Sequence, residues 1–169
     1  MKITPLLYKY EIQKEVPKQL VRDFSIDTGV SRTIEEKVRN GDLTIVAVEE
    51  KHWHANGITV EETQPIGFIS CEKYYDKLLS VNGFYVVDEH RHQGVGIHLM
   101  GRLLMYAKRQ GFEEIYATTM LPSTCKLFMQ LKDRFNHTKW LKFETKYWYD
   151  NYGSERVMGS VRIIHQDLK

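Results

Sequence analysis

Cysteine and proline are scarce in this chain, and no long apolar run is present. Only Cys71 and Cys125 occur. Because they do not form a Cys-x-x-Cys pair, a metal ribbon and a dithiol redox site are excluded. So few cysteines are typical of a protein in a reducing compartment. No apolar stretch approaches the roughly 20 residues of a membrane-spanning helix. The first nine residues are too interrupted by charge for a signal peptide. We therefore expect a soluble, cytoplasmic protein.

A strong excess of one charge is also missing, since the net charge is +2. After residue 120 there are nine Lys and Arg and five Asp and Glu, whereas residues 1–120 contain 15 Lys and Arg and 17 Asp and Glu. This excess is far weaker than the dense basic face of a dedicated nucleic-acid binder. A length of 169 residues, 42% of them hydrophobic, predicts one compact domain over residues 1–169.

The spacing of apolar residues predicts alternating helices and strands in the first half. Ser31 is a typical helix start and Asn40-Gly41 a typical stop, which predicts a helix of about ten residues between them. The polar segment 51–64 is predicted as a connection. The other elements predicted here are a strand at 3–10, a helix at 12–24, and strands at 43–48 and 65–75.

The second half contains the best-defined helix of the chain. From 94 to 110 the apolar residues form one helical stripe, and Gly111 follows where a helix C-terminal glycine belongs. A strand is predicted before this helix at 78–87, interrupted by Asn82-Gly83. After it, the pattern predicts a strand at 115–119, a helix from Pro122 to about Leu131, and two terminal strands.

Two glycines, Gly94 and Gly96, lie at the junction of the strand and this helix. A helix start offers up to four N–H groups without an intrahelical partner, and Arg91 adds positive charge nearby. An isolated Gly-x-Gly more often makes only a tight turn, but the surrounding strand, arginine and amphipathic helix favour a phosphate-binding loop. The Gly-Lys-Ser/Thr ending of a P-loop is missing, as is the acidic residue of a dinucleotide fold.

The segment 84–97, FYVVDEHRHQGVGI, resembles the Gln/Arg-x-x-Gly-x-Gly/Ala motif of the GNAT superfamily of acyl-coenzyme A-dependent N-acyltransferases. The resemblance is clear over about residues 65–132. It implies an α/β fold whose mixed, mostly antiparallel central sheet is flanked by helices and splayed at the acetyl-CoA site. It also implies acetyl-CoA as the acyl donor, bound along the strand by Val86 and Val87 and at the loop by Arg91, His92, Gln93, Gly94, Val95 and Gly96.

The reaction that this resemblance implies is direct attack of an amine on the thioester, with the backbone N–H of Val86 as oxyanion donor. Phe128 stands where many relatives have a tyrosine that protonates the thiolate. Segment 80–83 lacks the carboxylate that some relatives carry. Glu72, on the adjacent predicted strand, is the nearest substitute as general base, although it equally fits an exposed strand-end carboxylate. Ser123 either caps a helix or contacts pantetheine.

The leading hypothesis is an N-acetyltransferase acting on a primary amine, with a small-molecule, peptide or nucleic-acid-linked acceptor and a homodimer as the predicted assembly. A coenzyme A-binding module without catalysis is the first alternative. A nucleic-acid-associated protein is the second, because aromatic rings and cations interleave near the carboxyl end. His52-x-His54 and His90-x-His92 have no evident third ligand, so no metal site is predicted. The aromatic residues of this segment are Phe135, Trp140, Phe143, Tyr147, Trp148, Tyr149 and Tyr152.

Overall fold

The computed structural model describes residues 7–117, 122–135, 138–149, 153 and 155–164. Within these ranges, seven strands form one sheet and four α-helices accompany it. The helices are α1 Lys18–Thr28, α2 Arg32–Arg39, α3 Val95–Gln110 and α4 Pro122–Arg134. The strands are β1 Leu7–Gln13, β2 Leu43–Ala55, β3 Ile58–Tyr74, β4 Leu78–Val86, β5 Glu114–Ala117, β6 Leu141–Tyr149 and β7 Glu155–Ile163.

The sheet has the strand order β1-β2-β3-β4-β5-β7-β6. Among the strands that the structure describes, only β4 and β5 pair in parallel, and every other neighbouring pair is antiparallel. A parallel pair needs a long crossover, and α3 supplies it. The paired part of β4 ends at Ser80, opposite Tyr116, although β4 itself continues to Val86. The predicted α/β class with a mixed, mostly antiparallel, splayed sheet is confirmed.

Helices cover both faces of the inner part of the sheet, and side chains alternate between the two faces along each strand. On β4, Tyr85 joins the apolar cluster beneath α1 and α2, whereas Val86 joins the larger cluster beneath α3 and α4. Leu99 and Leu103 of α3 are fully buried in the larger cluster. Each such leucine contributes about 1.5 to 3 kcal/mol through removal of its surface from water. This packing fixes where α3 begins relative to the end of β4.

The segment 51–64 was predicted as a connection, and this prediction is wrong. It forms the outer half of a long β2–β3 hairpin, whose two-residue turn is Asn56 and Gly57 with φ of 52° and 78°. Such positive φ values are those of the favoured hairpin turns. The outer half is exposed, and its apolar residues alternate with polar ones and share one face, which carries Trp53, Ala55, Ile58 and Val60. Cross-strand pairs such as Lys51 opposite Glu62 add to the pairing.

The helix predicted at 12–24 also needs correction at its start. Ile12 belongs to β1, opposite Ile45 of β2, and α1 begins only after Pro17. A proline has no N–H to donate, so a helix tolerates it at the first turn but not in its interior. The helix then continues beyond 24 and ends at Gly29, which has a φ of 64°. The first strand is described from Leu7; the residues predicted before it, 3–6, lie outside the described ranges.

Candidate active site

The end of β4 presents its backbone to the gap in the sheet. The N–H of Val87 donates to the carbonyl of Ile66 at 2.9 Å, and Val86 lies opposite Gly67 in the register. Hydrogen-bonded and non-bonded pairs alternate along an antiparallel ladder. The N–H and C=O of Val86 therefore face away from β3, on the side where β4 has separated from β5. Of the two predicted strand residues, Val86 has its N–H directed to the gap, whereas that of Val87 is used within the sheet.

The start of α3 lies directly beyond this strand end. Gly94 occupies the N-cap with a φ of 84°, and His92 is also left-handed, with a φ of 61°. The first helical hydrogen bond runs from the N–H of His98 to the carbonyl of Gly94, at 3.0 Å. The preceding amides, from Val95 onward, have no acceptor within the helix. A helix start carries partial positive charge, so this turn can bind an anionic group.

Close packing around Gly96 leaves little room for a side chain. A Cβ atom at this position would lie 3.0 Å from the Phe84 ring and 3.1 Å from the Leu127 side chain. At Gly94, by contrast, a Cβ atom would meet nothing within 4 Å, and only the positive φ favours glycine. Gly96 thus lets the first turn of α3 approach β4 and α4 closely, which the sequence alone did not indicate.

Arg91 forms a hydrogen bond and ion pairs with neighbouring residues of the protein. Its Nε donates to the carbonyl of Val86 at 2.8 Å, and its Nη1 lies 2.5 Å from Asp88 Oδ1. Its Nη2 lies 3.8 Å from Asp27 Oδ2, and the guanidinium stacks 5.4 Å from the Tyr85 ring centroid. The arginine therefore braces the strand end and the loop, rather than presenting a free charge as the sequence suggested. We call Asp27, Tyr85, Asp88 and Arg91 the rim cluster.

The Tyr85 hydroxyl is the inner end of the rim cluster. It donates a hydrogen bond to Asp27 Oδ2 at the end of α1. Burial, and then this hydrogen bond to a carboxylate, raise the pKa of Tyr85 well above its usual value. The hydroxyl therefore stays protonated and holds Asp27 next to Arg91.

A second group of polar side chains, which sequence reasoning missed, lies on the α3 face of the sheet. Glu49 of β2 is only 1% exposed, and its Oε2 lies 3.2 Å from Nε2 of His90. Lys51 Nζ, at 3.8 Å, is farther away and half exposed. A buried carboxylate is costly unless a partner compensates it. His90 is the buried partner within reach, although neither oxygen of Glu49 has a hydrogen-bond partner among the described residues.

The other side of the His90 ring connects to the loop. The Tyr8 hydroxyl lies 3.1 Å from His90 Nδ1 and 2.5 Å from Gln93 Oε1, to which it donates. The amide of Gln93 donates in turn to the carbonyl of Glu89 at 3.3 Å. Burial, followed by the charge of Glu49, raises the pKa of Tyr8. We call Tyr8, Glu49, His90 and Gln93 the buried cluster after its buried pair, Glu49 and His90; Tyr8 is partly buried and Gln93 is exposed.

Glu72, the predicted general base, is not brought to the loop. It pairs with Ser80 in the β3–β4 register, whereas Val86 lies six residues farther along β4, or roughly 20 Å at 3.3 Å per residue. Its carboxylate accepts a hydrogen bond from the Tyr74 hydroxyl at 3.1 Å. Glu72 therefore lies beyond direct contact with a group bound at Val86.

Helix α4 contains Phe128, the residue at the position where many relatives have a proton-donating tyrosine. Phe128 is 5% exposed and packs edge to face against Phe143, with ring centroids 5.5 Å apart. This position thus belongs to the core. Ser123 falls in the first turn of α4, but its side chain lies outside the part of the chain described.

The aromatic carboxy-terminal segment contributes to the core where it is described. Phe135, Trp140 and Phe143 pack against the larger cluster, and Lys108 Nζ lies 4.2 Å from the Trp140 ring centroid. These three rings are thus used in packing. The side chains of Tyr147, Trp148, Tyr149 and Tyr152 lie outside the description.

The histidines of the two His-x-His segments contact different partners. His52 lies between Glu50 and Glu61, at 3.7 and 3.5 Å, and His54 contacts Thr59 at 3.0 Å. Across residues 7–117, 122–135, 138–149 and 155–164, no three His, Cys, Asp or Glu side chains come together as metal ligands. In the same ranges, no helix has the length and apolarity needed to span a membrane.

Comparison with known proteins identifies one family. The model of the acetyltransferase (GNAT) family matches residues 27–131, more than half of the chain. A search of curated protein sequences gave no match.

Solved structures share the fold at low sequence identity. A Bacillus subtilis acetyltransferase in complex with CoA is 13% identical, with a TM-score of 0.61 over 94% of this chain and 100% of that one. A diaminobutyrate acetyltransferase from Paenibacillus lautus, in complex with its substrate L-2,4-diaminobutyric acid and coenzyme A, is 17% identical, with a TM-score of 0.61 over 98% and 99%. An acetyltransferase from Elizabethkingia anophelis with acetyl-CoA bound is 12% identical, with a TM-score of 0.58 over 92% and 98%.

Proposed function

Because the chain belongs to the acetyltransferase (GNAT) family, we propose that it transfers an acetyl group from acetyl-CoA to a primary amine. The family resemblance predicted from segment 84–97 is confirmed. The observation that supports the proposal best is the position of Val86. Its backbone N–H faces the gap between β4 and β5, and the N-terminus of α3 lies at the end of the same strand. One elongated donor can thus contact both.

The donor is proposed to bind with its pyrophosphate at the start of α3 and its pantetheine arm along the outer edge of β4. The N–H groups that begin at Val95 would hold the phosphate oxygens, and the positive φ of Gly94 turns the chain into the helix. The buried cluster and the rim cluster fix the loop from the two faces of the sheet. Acetyl-CoA as donor agrees with the similar structures that contain acetyl-CoA or CoA.

The proposed reaction is direct transfer. The lone pair of a neutral amine attacks the thioester carbonyl carbon, a C–N bond forms, and the C–S bond breaks with its electron pair leaving on sulfur. The Val86 N–H donates to the oxygen that becomes negative in the tetrahedral intermediate. The ammonium proton passes to water, because Glu72 is remote. Phe128 offers no proton, so coenzyme A leaves as a thiolate, which is feasible for a thiol with a pKa near 8.5.

A second candidate function is coenzyme A binding without turnover. It is favoured by two observations: Phe128 is part of the core, and Glu72 pairs with Ser80 far from Val86. A protein of this kind would keep the loop and the gap but transfer no acetyl group.

Thiol release from acetyl-CoA, measured across diamines, amino acids, peptides and tRNA, tests the proposal. We expect turnover with at least one primary amine, at a rate that rises with the neutral fraction of that amine. Saturable binding of acetyl-CoA without turnover on any of these would support the binding module instead. A protein that neither binds nor consumes millimolar acetyl-CoA would contradict both functions.

A further inference from the structure

A second concave surface, which we call the α3 groove, lies along α3 between β1 and the C-terminal end of α4. Its volume is about 480 Å³, within the roughly 300 to 1,000 Å³ of small-molecule sites. None of the residues that line it belongs to the loop 91–96, to β4 or to β5. The groove begins at Ile97 and His98, in the first turn of α3, and extends along the helix away from the candidate donor site. It is defined by Tyr10, His98, Gly101, Arg102, Arg109 and Arg134.

The charge of the α3 groove is of one sign. Three arginines and His98 line it, and among the described residues no carboxylate does. Arg102 lies 5.6 Å from the Tyr10 ring centroid, and neither Arg109 nor Arg134 has an ion-pair partner among the residues that the structure describes. Guanidinium groups of one concave surface add to a positive potential, and their planar forks match phosphate oxygens. The groove therefore favours an anion with more than one negative charge.

Gly101 forms part of the groove wall, and the fold does not explain it. In the interior of a helix, glycine is less favourable than alanine. A Cβ atom at Gly101 would meet nothing within 4 Å, unlike one at Gly96, which would collide with Phe84 and Leu127. No neighbouring side chain therefore requires glycine here. Close approach of a bound molecule to the helix backbone would require it.

Apolar surface accompanies the charges. Tyr10, Tyr106 and Phe135 present rings to the groove, and Met105 is 44% exposed there. Rings of this kind stack on planar groups. We propose that the α3 groove binds a small molecule that carries both a phosphate group and a planar ring.

Two kinds of ligand carry both a phosphate group and a planar ring. One is a free aromatic phosphate ester, and the other is the phosphoadenosine end of coenzyme A. Arg109 lies fourteen residues beyond Val95, about 20 Å along the axis of α3 at 1.5 Å per residue. Arg134 is contributed by α4 at the same groove. This distance from the start of α3 favours a separate molecule as the ligand. Binding in the presence and absence of coenzyme A distinguishes the two sources.

The test is titration calorimetry of the full chain with phenyl phosphate, with and without saturating coenzyme A. We expect saturable binding in both cases. The double variant Arg109→Gln/Arg134→Gln should weaken it at least about tenfold, because each guanidinium makes charge-assisted hydrogen bonds. The control Lys18→Gln/Lys37→Gln removes the same charge from α1 and α2, on the other face of the sheet, and should bind like the wild type. Benzoate, with one negative charge, should bind more weakly than phenyl phosphate.

A second pair of variants separates binding from folding. Gly101→Ala should raise the melting temperature, since alanine favours the helix, and Gly101→Leu should fill the groove and abolish phenyl phosphate binding while the fold remains intact. Unchanged binding in a folded Gly101→Leu variant would overturn the proposal. So would the absence of saturable binding at millimolar phenyl phosphate, or complete displacement by coenzyme A, which would assign the groove to the donor. None of these results depends on acetyl transfer.

Discussion

Two polar clusters hold the loop before α3, one on each face of the sheet, and they differ in exposure. In the buried cluster, the Glu49 side chain is 1% exposed and that of His90 is 11% exposed. In the rim cluster, the side chains of Arg91 and Asp27 are 41% and 44% exposed. Water and salt screen exposed charges strongly and buried ones weakly. Water and salt should therefore weaken a single charged contact less in the buried cluster than in the rim cluster.

The largest effect in this comparison is expected from Glu49→Gln. The variant keeps the shape of the side chain but removes the carboxylate beside His90, which should lower the free energy of unfolding by about 1 to 3 kcal/mol. Denaturant unfolding measures the change, and calorimetry with coenzyme A should show weaker binding in the folded protein. A change below about 0.5 kcal/mol, typical of a surface substitution, would mean that the buried cluster does not support the loop.

Tyr8→Phe sharpens the comparison by removing only the hydroxyl between His90 and Gln93. Losing this hydrogen bond should cost about 1 kcal/mol. Because Gln93 is then free to move, KM for acetyl-CoA should rise about fivefold while kcat stays the same. Tyr74→Phe is the matched control, since it removes a hydroxyl bound to Glu72 away from the loop. Equal effects of the two variants would show that the hydroxyl has no specific role at the loop.

A smaller effect is expected from Asp88→Asn in the rim cluster. Asp88 is highly exposed, so its ion pair with Arg91 should contribute less than about 1 kcal/mol. Coenzyme A affinity measured at low and high salt should show that even this difference vanishes as salt rises. If Asp88→Asn weakened coenzyme A binding more than Glu49→Gln does, the ranking of the two clusters would be reversed.

The smallest effect is expected from Glu72→Gln, outside both clusters. We expect kcat to change less than about threefold, well short of the 10²- to 10⁴-fold loss of a positioned base. The pH–rate profile for two amines of different pKa adds a second readout, and its inflection should follow the amine. A large loss of kcat, with an inflection that stays fixed between amines, would restore Glu72 as the base.

The sequence predicts the loop before α3 and α3 itself better than the rest of the molecule. The reason is that the signals for both are close together in the sequence. Gly94 and the apolar stripe of α3 are adjacent in sequence, so their periodicity identifies the loop and the helix. The buried cluster joins Tyr8 to Gln93, which are 85 positions apart, and no local pattern relates them. One indication was available: Glu49 continues the strand two positions after Ala47, on its buried side. The outer β2–β3 hairpin was missed because segment 51–64 was judged by its overall polarity, although Asn56-Gly57 is a typical hairpin turn and apolar residues alternate on both sides of it.

The central claim, that the start of α3 binds the donor, is tested most directly by calorimetry of Gly94→Val with acetyl-CoA. Gly57→Val is the matched control, because Gly57 has a similar φ of 78° and equally open surroundings but lies in the β2–β3 turn. Both variants place a valine at a similar positive φ. We predict that Gly94→Val, although folded, loses acetyl-CoA binding and that Gly57→Val retains it. Wild-type affinity in a folded Gly94→Val variant would contradict the account.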